Sequence, residues 1–295
     1  MRPLALYCKS FRTDLRRVLR LAESIEQFNQ DNLPFYVSVP NTELSLFQQH
    51  LQEFNVTLIA DEAIIEANSN ICLATFKALP GNISQQIVKS EFWRLNQSLS
   101  YLCLDSDSVF IRNFTHKEFV APDGTPYSVI TEAQDLQFEA LCRGKLSVIN
   151  DFRREAETIQ TIFQRPGKAY SFGPMPMVWH RAVWESLEQQ YLIPRGMNFL
   201  EAIQLAPLES RWYGEALLRF CAIPLLPSEP FFKVYHYAWQ LDRDRCHGIT
   251  DEQLAKLYSG VIFQSSWERE MDWPHEGGHI LSHLSRRIRR RLGRI

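Results

Sequence analysis

Two aspartates define the chemistry open to this chain. Residues 100–114 read Ser-Tyr-Leu-Cys-Leu-Asp-Ser-Asp-Ser-Val-Phe-Ile-Arg-Asn-Phe. The apolar run 101–104 has the length of a buried strand, breaks at Asp105 and Asp107, and resumes at Val109, Phe110 and Ile111. Residues two apart on a strand share a face, so an extended Asp-Ser-Asp aims both carboxylates at one point. At the carboxyl end of a sheet such a pair suits a hard divalent cation, Mg2+ or Mn2+, that also touches phosphates. The ordinary alternative is a pair of solvated turn residues.

Three more side chains can join this centre. A helix is expected over 85–98, capped by Ser84 after the Pro80-Gly81 turn. It stacks Val88, Phe92, Leu95 and Leu99 on one face and Gln85, Lys89 and Asn96 on an adjoining polar face. Lys89 then either reaches a diphosphate beside the metal or sits solvated. Glu209 falls at the start of a helix continued by Tyr213, Ala216, Leu217 and Phe220, with Glu215 inside it. A carboxylate there either complements the helix dipole or serves as a general base. His236 lies in the aromatic strand 231–239, as a structural imidazole or a ligand for Mn2+. The segment 172–177 mixes loop formers with Phe and Met, material for a pocket wall or for the core.

These residues need a frame. Strands are expected at 4–8, 34–39 and 56–60, with helices over 14–28 and 42–54 between them. Strand and helix alternating at this spacing imply right-handed β-α-β crossovers and a parallel sheet, an α/β fold. Further on, strands are expected at 127–131, 177–179 and 224–227, a helix over 181–190, and polar helical signals over 136–168.

Composition bounds the rest. With 295 residues, 45% hydrophobic and 12% aromatic, the chain can bury a large core. A net charge of -2 excludes a general polyanion binder. The six cysteines are scattered without metal-site spacing and read as buried thiols of a reducing compartment. The N-terminus does not read as a signal peptide and no window has the apolar length of a membrane span, so a cytoplasmic protein is expected. Within 280–295, Ile280, Leu281, Leu284, Ile288, Leu292 and Ile295 alternate with six arginines. Such a basic amphipathic helix either lies on an anionic membrane surface or docks on protein. The basic run lacks interleaved aromatics, so nucleic acid is not an expected partner.

The ordered set Lys9-Ser10-Phe11, Gln85-Gln86-Ile87-Val88-Lys89, Asp105-Ser106-Asp107, residues 209–214 and Tyr235-His236 resembles bacterial glycosyltransferases of the GT-A fold, in particular a family of sugar transferases with an Asp-x-Asp motif. The resemblance spans about residues 4–240. It implies a GT-A domain over 1–245, with 246–295 as a C-terminal helical extension. It also implies a nucleotide-sugar donor and a glycan or lipid-linked acceptor, in surface polysaccharide or glycolipid synthesis at the inner face of the plasma membrane. Asp107 would ligate the metal, Asp105 would contact ribose or metal, and His236 would be a further ligand. Lys9, Ser10 and Arg12 would form part of the nucleotide pocket, with Ser106 beside the donor and Lys89 balancing the diphosphate. Glu209 would be the base of an inverting transfer. Where a tyrosine and a second acid are expected after it, this chain has Ser210 and Arg211, which leaves Glu215 in reserve.

Two rival readings follow from the same residues. Residues 104–109 also fit the nucleophile strand of a haloacid-dehalogenase-type phosphohydrolase, with Asp105 as nucleophile. That chemistry needs a downstream acidic pair, for which the chain offers Asp242-Arg243-Asp244. The other rival is a catalytically inactive scaffold.

Overall fold

In the computed structural model, which describes residues 2–264, the apolar runs form the strands of a helix-flanked sheet. The chain begins β1 (Arg2–Lys9), α1 (Leu15–Phe28), β2 (Phe35–Val39), α2 (Leu44–Leu51) and β3 (Val56–Ala60). Helices α3 (Asp61–Glu66), α4 (Leu73–Lys77) and α5 (Gly81–Glu91) lead into β4 (Ser98–Leu104). Next come β5 (Ser108–Phe110), β6 (Tyr127–Val129), α6 (Gln134–Cys142), α7 (Leu146–Ile162), β7 (Met177–His180) and α8 (Arg181–Leu187). The described chain finishes with α9 (Phe199–Leu205), α10 (Glu209–Phe220), β8 (Leu226–Ser228), β9 (Phe232–Tyr235), α11 (Ala238–Cys246), α12 (Asp251–Leu254) and β10 (Gly260–Phe263).

The main sheet has the order β3-β2-β1-β4-β7. The first four strands are parallel, joined by helical crossovers, and β7 runs antiparallel at the edge. This is the mostly parallel α/β sheet expected from the sequence. A smaller sheet sets β10 between β5 and β9, and β6 pairs with β8. Gly260–Phe263 of the segment 246–295 therefore belongs to a sheet, while the arginine-rich stretch 280–295 lies outside the described residues. Among the described residues no helix is long and apolar enough to cross a membrane.

Alternation along the strands sorts the core into two layers. Tyr7, Tyr101, Cys103 and Trp179 face one side, packed with Val88 of α5, Val183 of α8 and Trp212 of α10. Leu6, Cys8, Leu102 and Leu104 face the other, with Val18 and Leu21 of α1, Phe47 of α2, Phe232 and Ile262.

Two expectations are corrected. The helix over 85–98 starts earlier and ends sooner, and Leu99, placed on its apolar face, is a strand residue 42% exposed. Of the cysteines only Cys8 and Cys103 are buried, whereas Cys72, Cys142, Cys221 and Cys246 are exposed. The exposed four sit at or just beyond the ends of α4, α6, α10 and α11, where apolar neighbours in sequence do not mean burial.

Gly214 has a packing role. A Cβ there would lie 2.0 Å from the ring of Phe172, so the missing side chain lets that ring lie against α10. Glycine to alanine in a helix interior ordinarily gains about 1 kcal/mol. Here overpacking of about 1–3 kcal/mol opposes that gain. Gly214→Ala is therefore expected to lower the melting temperature, whereas Gly81→Ala, with nothing within 4 Å of the new Cβ, is not. A melting temperature unchanged or raised in Gly214→Ala would mean that Phe172 is not held there.

Candidate active site at the sheet crevice

Strands β2 and β3 lie to one side of β1 and β4 to the other. The winding reverses between β1 and β4, whose pairing ends at Cys8 and Leu104, and this switch point is the crevice position where open α/β sheets usually bind ligands. Lys9 and Ser10 form one lip, and residues 105–107 form the other.

The Asp-Ser-Asp is a turn rather than the extended strand expected. The Ser108 N–H donates to the Asp105 carbonyl at 3.0 Å, because the chain here leaves the main sheet and enters the small one at β5. Asp107 is 6% exposed, and its carbonyl accepts the Phe263 N–H at 3.2 Å. The Ser106 hydroxyl donates to Asp14 Oδ2 at 3.3 Å.

Lys89 is not the solvated residue that a polar helix face suggests, being 5% exposed. Its Nζ lies 2.6 Å from Asp105 Oδ1 and 3.5 Å from Glu209 Oε1. Burial works against the ammonium, but the Asp105 and Glu209 carboxylates outweigh it and hold Lys89 charged. Beneath this group the Cys8 and Cys103 thiols are pushed up by burial and stay protonated. Glu209, the first residue of α10, is thus brought to Asp105 through Lys89.

The remaining expected residues divide. Lys9 Nζ is 2.8 Å from Asp61 Oδ2, so this lysine is already ion-paired within the crevice. Burial pushes the Asp61 carboxyl up to about 6 against the pull of Lys9. Ser10 is buried, and its Oγ has no hydrogen-bond partner among the described residues. Arg12 stands in solvent at the lip, its Nε 3.4 Å from Glu43 Oε1. Glu215 is gripped by the Arg165 fork, Nε to Oε2 at 2.5 Å and Nη2 to Oε1 at 2.9 Å. Both of its oxygens accept from Arg165.

His236 follows β9, whose Tyr235 pairs with Phe263 of β10. Phe263 in turn binds the Asp107 carbonyl, so His236 and Asp107 flank the end of β10, roughly 10 Å apart at the backbone by strand spacing. Burial, helped by Lys233, lowers His236 to about 4 and keeps the imidazole neutral, the form that ligates metals. Among the described residues no three His, Cys, Asp or Glu side chains converge to hold an ion unaided. The hard oxygens of Asp105 and Asp107 fit Mg2+ or Mn2+ of the kind that takes one or two carboxylates and completes its shell with phosphates and water.

A cleft of about 1290 Å3 lies beside the start of α10, with Phe172, Met175, Leu208, Ser210, Lys233 and His236 in its walls. Two of these belong to the loop 172–177 marked in the sequence as wall material. Asp61 and the whole of β10 are not marked in the sequence, and Gln86 enters there only as one member of the 85–89 stretch. Asp61 closes a strand whose residues are only partly buried, and Gln86 differs from its neighbour Gln85 by nothing visible in composition.

Asp61 yields a pH prediction. Its folded-state value of about 6 exceeds the ordinary 3.8, so the native state binds protons more tightly than the unfolded chain. That stabilisation is complete below pH 3.8 and is lost as pH rises through about 6. The unfolding free energy of wild type, measured relative to Asp61→Asn, should fall by about 3 kcal/mol between pH 3 and pH 7. A flat difference would show that Lys9 keeps the carboxylate ionised throughout.

No curated protein matches the chain. Mouse xyloside xylosyltransferase 1 in its apo form resembles it with 10% identity and a TM-score of 0.43, over 88% of this chain and 97% of that one. The galactosyltransferase LgtC in complex with donor and acceptor sugar analogs does so with 13% identity and a TM-score of 0.46, over 92% of each chain. The apo bifunctional glycosyltransferase WbbM gives 9% identity and a TM-score of 0.45, over 88% of this chain and 45% of its own. Residues 3–218 match the family of unknown function DUF6492, and this chain belongs to that family.

Proposed function

We propose that this chain is a metal-dependent glycosyltransferase that moves a sugar from a nucleotide-sugar donor to a glycan or lipid-linked acceptor. The observation that carries the reading is the buried Lys89 ammonium at the crevice, in contact with Asp105 at the end of β4 and Glu209 at the start of α10. It supports the reading because a positive charge stands between a metal-type carboxylate and a candidate base at the strand ends where open α/β sheets bind ligands.

The residues take distinct roles in this proposal. Ser10, with an unmet hydroxyl, and Lys9 line the nucleoside end, and Arg12 stands at the lip. Lys89 balances the diphosphate. Asp105 and Asp107, with His236 as a further ligand, would hold Mn2+ or Mg2+, which when bound stabilises charge on the departing diphosphate. The acceptor lies in the cleft whose wall includes Leu208 and Ser210, the neighbours of Glu209. Glu209 removes the proton from the acceptor hydroxyl, and a single displacement of this kind inverts the anomeric centre. Action in bacterial surface polysaccharide or glycolipid synthesis, at the inner membrane face through 280–295, rests on the sequence resemblance and the terminal arginines. The phosphohydrolase reading is less well supported, since Asp242 and Asp244 ride on α11 and Asp244 lies 3.2 Å from Arg243.

A thermal-shift panel of nucleoside diphosphates, nucleotide sugars and CMP, with and without Mn2+, tests the donor half. One nucleotide class is expected to raise the melting temperature only when Mn2+ is present, and Asp107→Ala to abolish that shift without unfolding the protein. Silence from every nucleotide would overturn the reading. For the chemical half, Glu209→Gln should cut turnover by about 100-fold or more while donor affinity stays within about twofold. Near-normal turnover in this variant would remove Glu209 as the base.

A further inference from the structure

We propose that Gln86 is a positioning residue, which holds Glu209 in register by pinning a strained backbone one residue before it. The role in turnover rests on the transferase reading, and the pinning rests on geometry alone.

Leu208 has φ 90° and ψ 92°, a region that a bulky side chain rarely enters. It is the last residue before α10, and its carbonyl accepts the N–H of Arg211 at 3.1 Å, so the first turn of the helix is built on this conformation. The Leu208 N–H in turn donates to Gln86 Oε1 at 2.6 Å. Gln86 is buried, and its Nε2 donates to the Asn82 carbonyl at 2.8 Å, which fixes which end of the amide faces Leu208. Three residues along the same helix, Lys89 holds the Glu209 carboxylate. Helix α5 therefore grips the start of α10 at two adjacent points, the backbone of 208 and the side chain of 209.

The remainder of α10 has its own supports. Trp212 Nε1 donates to the Ala206 carbonyl at 2.7 Å, and the buried Arg211 lies 3.0 Å from Glu155. Loss of Gln86 should thus release the first turn without unfolding the helix. Glycine adopts positive φ without steric penalty, so a glycine at 208 makes the pin dispensable.

The test is a double-mutant cycle of Gln86→Ala and Leu208→Gly in the full chain, read by amide hydrogen exchange and by kinetics. Gln86→Ala should speed exchange over residues 208–212 by about tenfold, leave 149–160 of α7 unchanged, and lower kcat by about tenfold with donor KM within about twofold. In the Leu208→Gly background the same substitution should change both readouts less than about threefold. Unchanged exchange in Gln86→Ala, or an equal effect in both backgrounds, overturns the pin. Faster exchange with unaltered kcat overturns the positioning role. Should wild type transfer no sugar from any nucleotide sugar, the transferase reading falls, and the exchange cycle still decides the pin.

Discussion

A buried lysine ammonium has to be paired, and in this protein that requirement fixes the crevice. An unpaired charge at such depth costs several kcal/mol, more than most single contacts in a fold return. Lys89 meets the requirement with Asp105 and Glu209, from a strand end and a helix start more than a hundred residues apart. Three elements, α5, β4 and α10, are thereby tied at one point. The same pairing gives the Asp105 side chain a reason to face α5, on the side of the sheet where Cys103 points and Leu104 does not.

The second constraint is the passage between sheets. Main-sheet pairing stops at Leu104, yet the chain must supply β5 to the small sheet within a few residues. A tight turn at 105–108 makes that change of direction, and it lifts Asp107 out of the register an extended strand would have given it. The small sheet is closed by β10, which fits because Gly260 has no side chain. A Cβ there would sit 2.3 Å from the ring of Phe232 and 2.5 Å from the Val109 carbonyl. Late chain is thus inserted between early chain and the His236 segment, and this insertion is what brings His236 and Asp107 to one sheet end.

Much of this frame was legible in the sequence. The first three strands, α1 and the start of α10 follow directly from apolar periodicity and from Glu209 at a helix start. The two aspartates stood out because they interrupt an apolar run. What periodicity could not show was direction: β7 has the composition of any buried strand, and only its pairing with β4 reveals that it is antiparallel. Nor could it show depth. Lys89 lies on the polar arc of its helix, and a helical wheel assumes that the polar arc faces water, whereas here that arc faces a crevice lined with acids. Glu215 is the converse case, a reasonable candidate by spacing whose partner, Arg165, comes from a polar stretch that gives no sign of this pairing. β10 escaped notice because Gly260–Phe263 is short and lies next to charged, irregular sequence.

The geometry around Lys89 also bears on how donor and acceptor steps are linked in the proposed transferase. An ammonium has three N–H donors. Asp105 takes a short contact at 2.6 Å and Glu209 a longer one at 3.5 Å, so the hold on Glu209 is the weaker of the two. In that proposal a diphosphate at this ammonium would compete with both carboxylates, and the longer contact to Glu209 is the one it would displace more readily. A single lysine thus stands between the proposed donor charge and the proposed base, and it ties them through α5, β4 and α10.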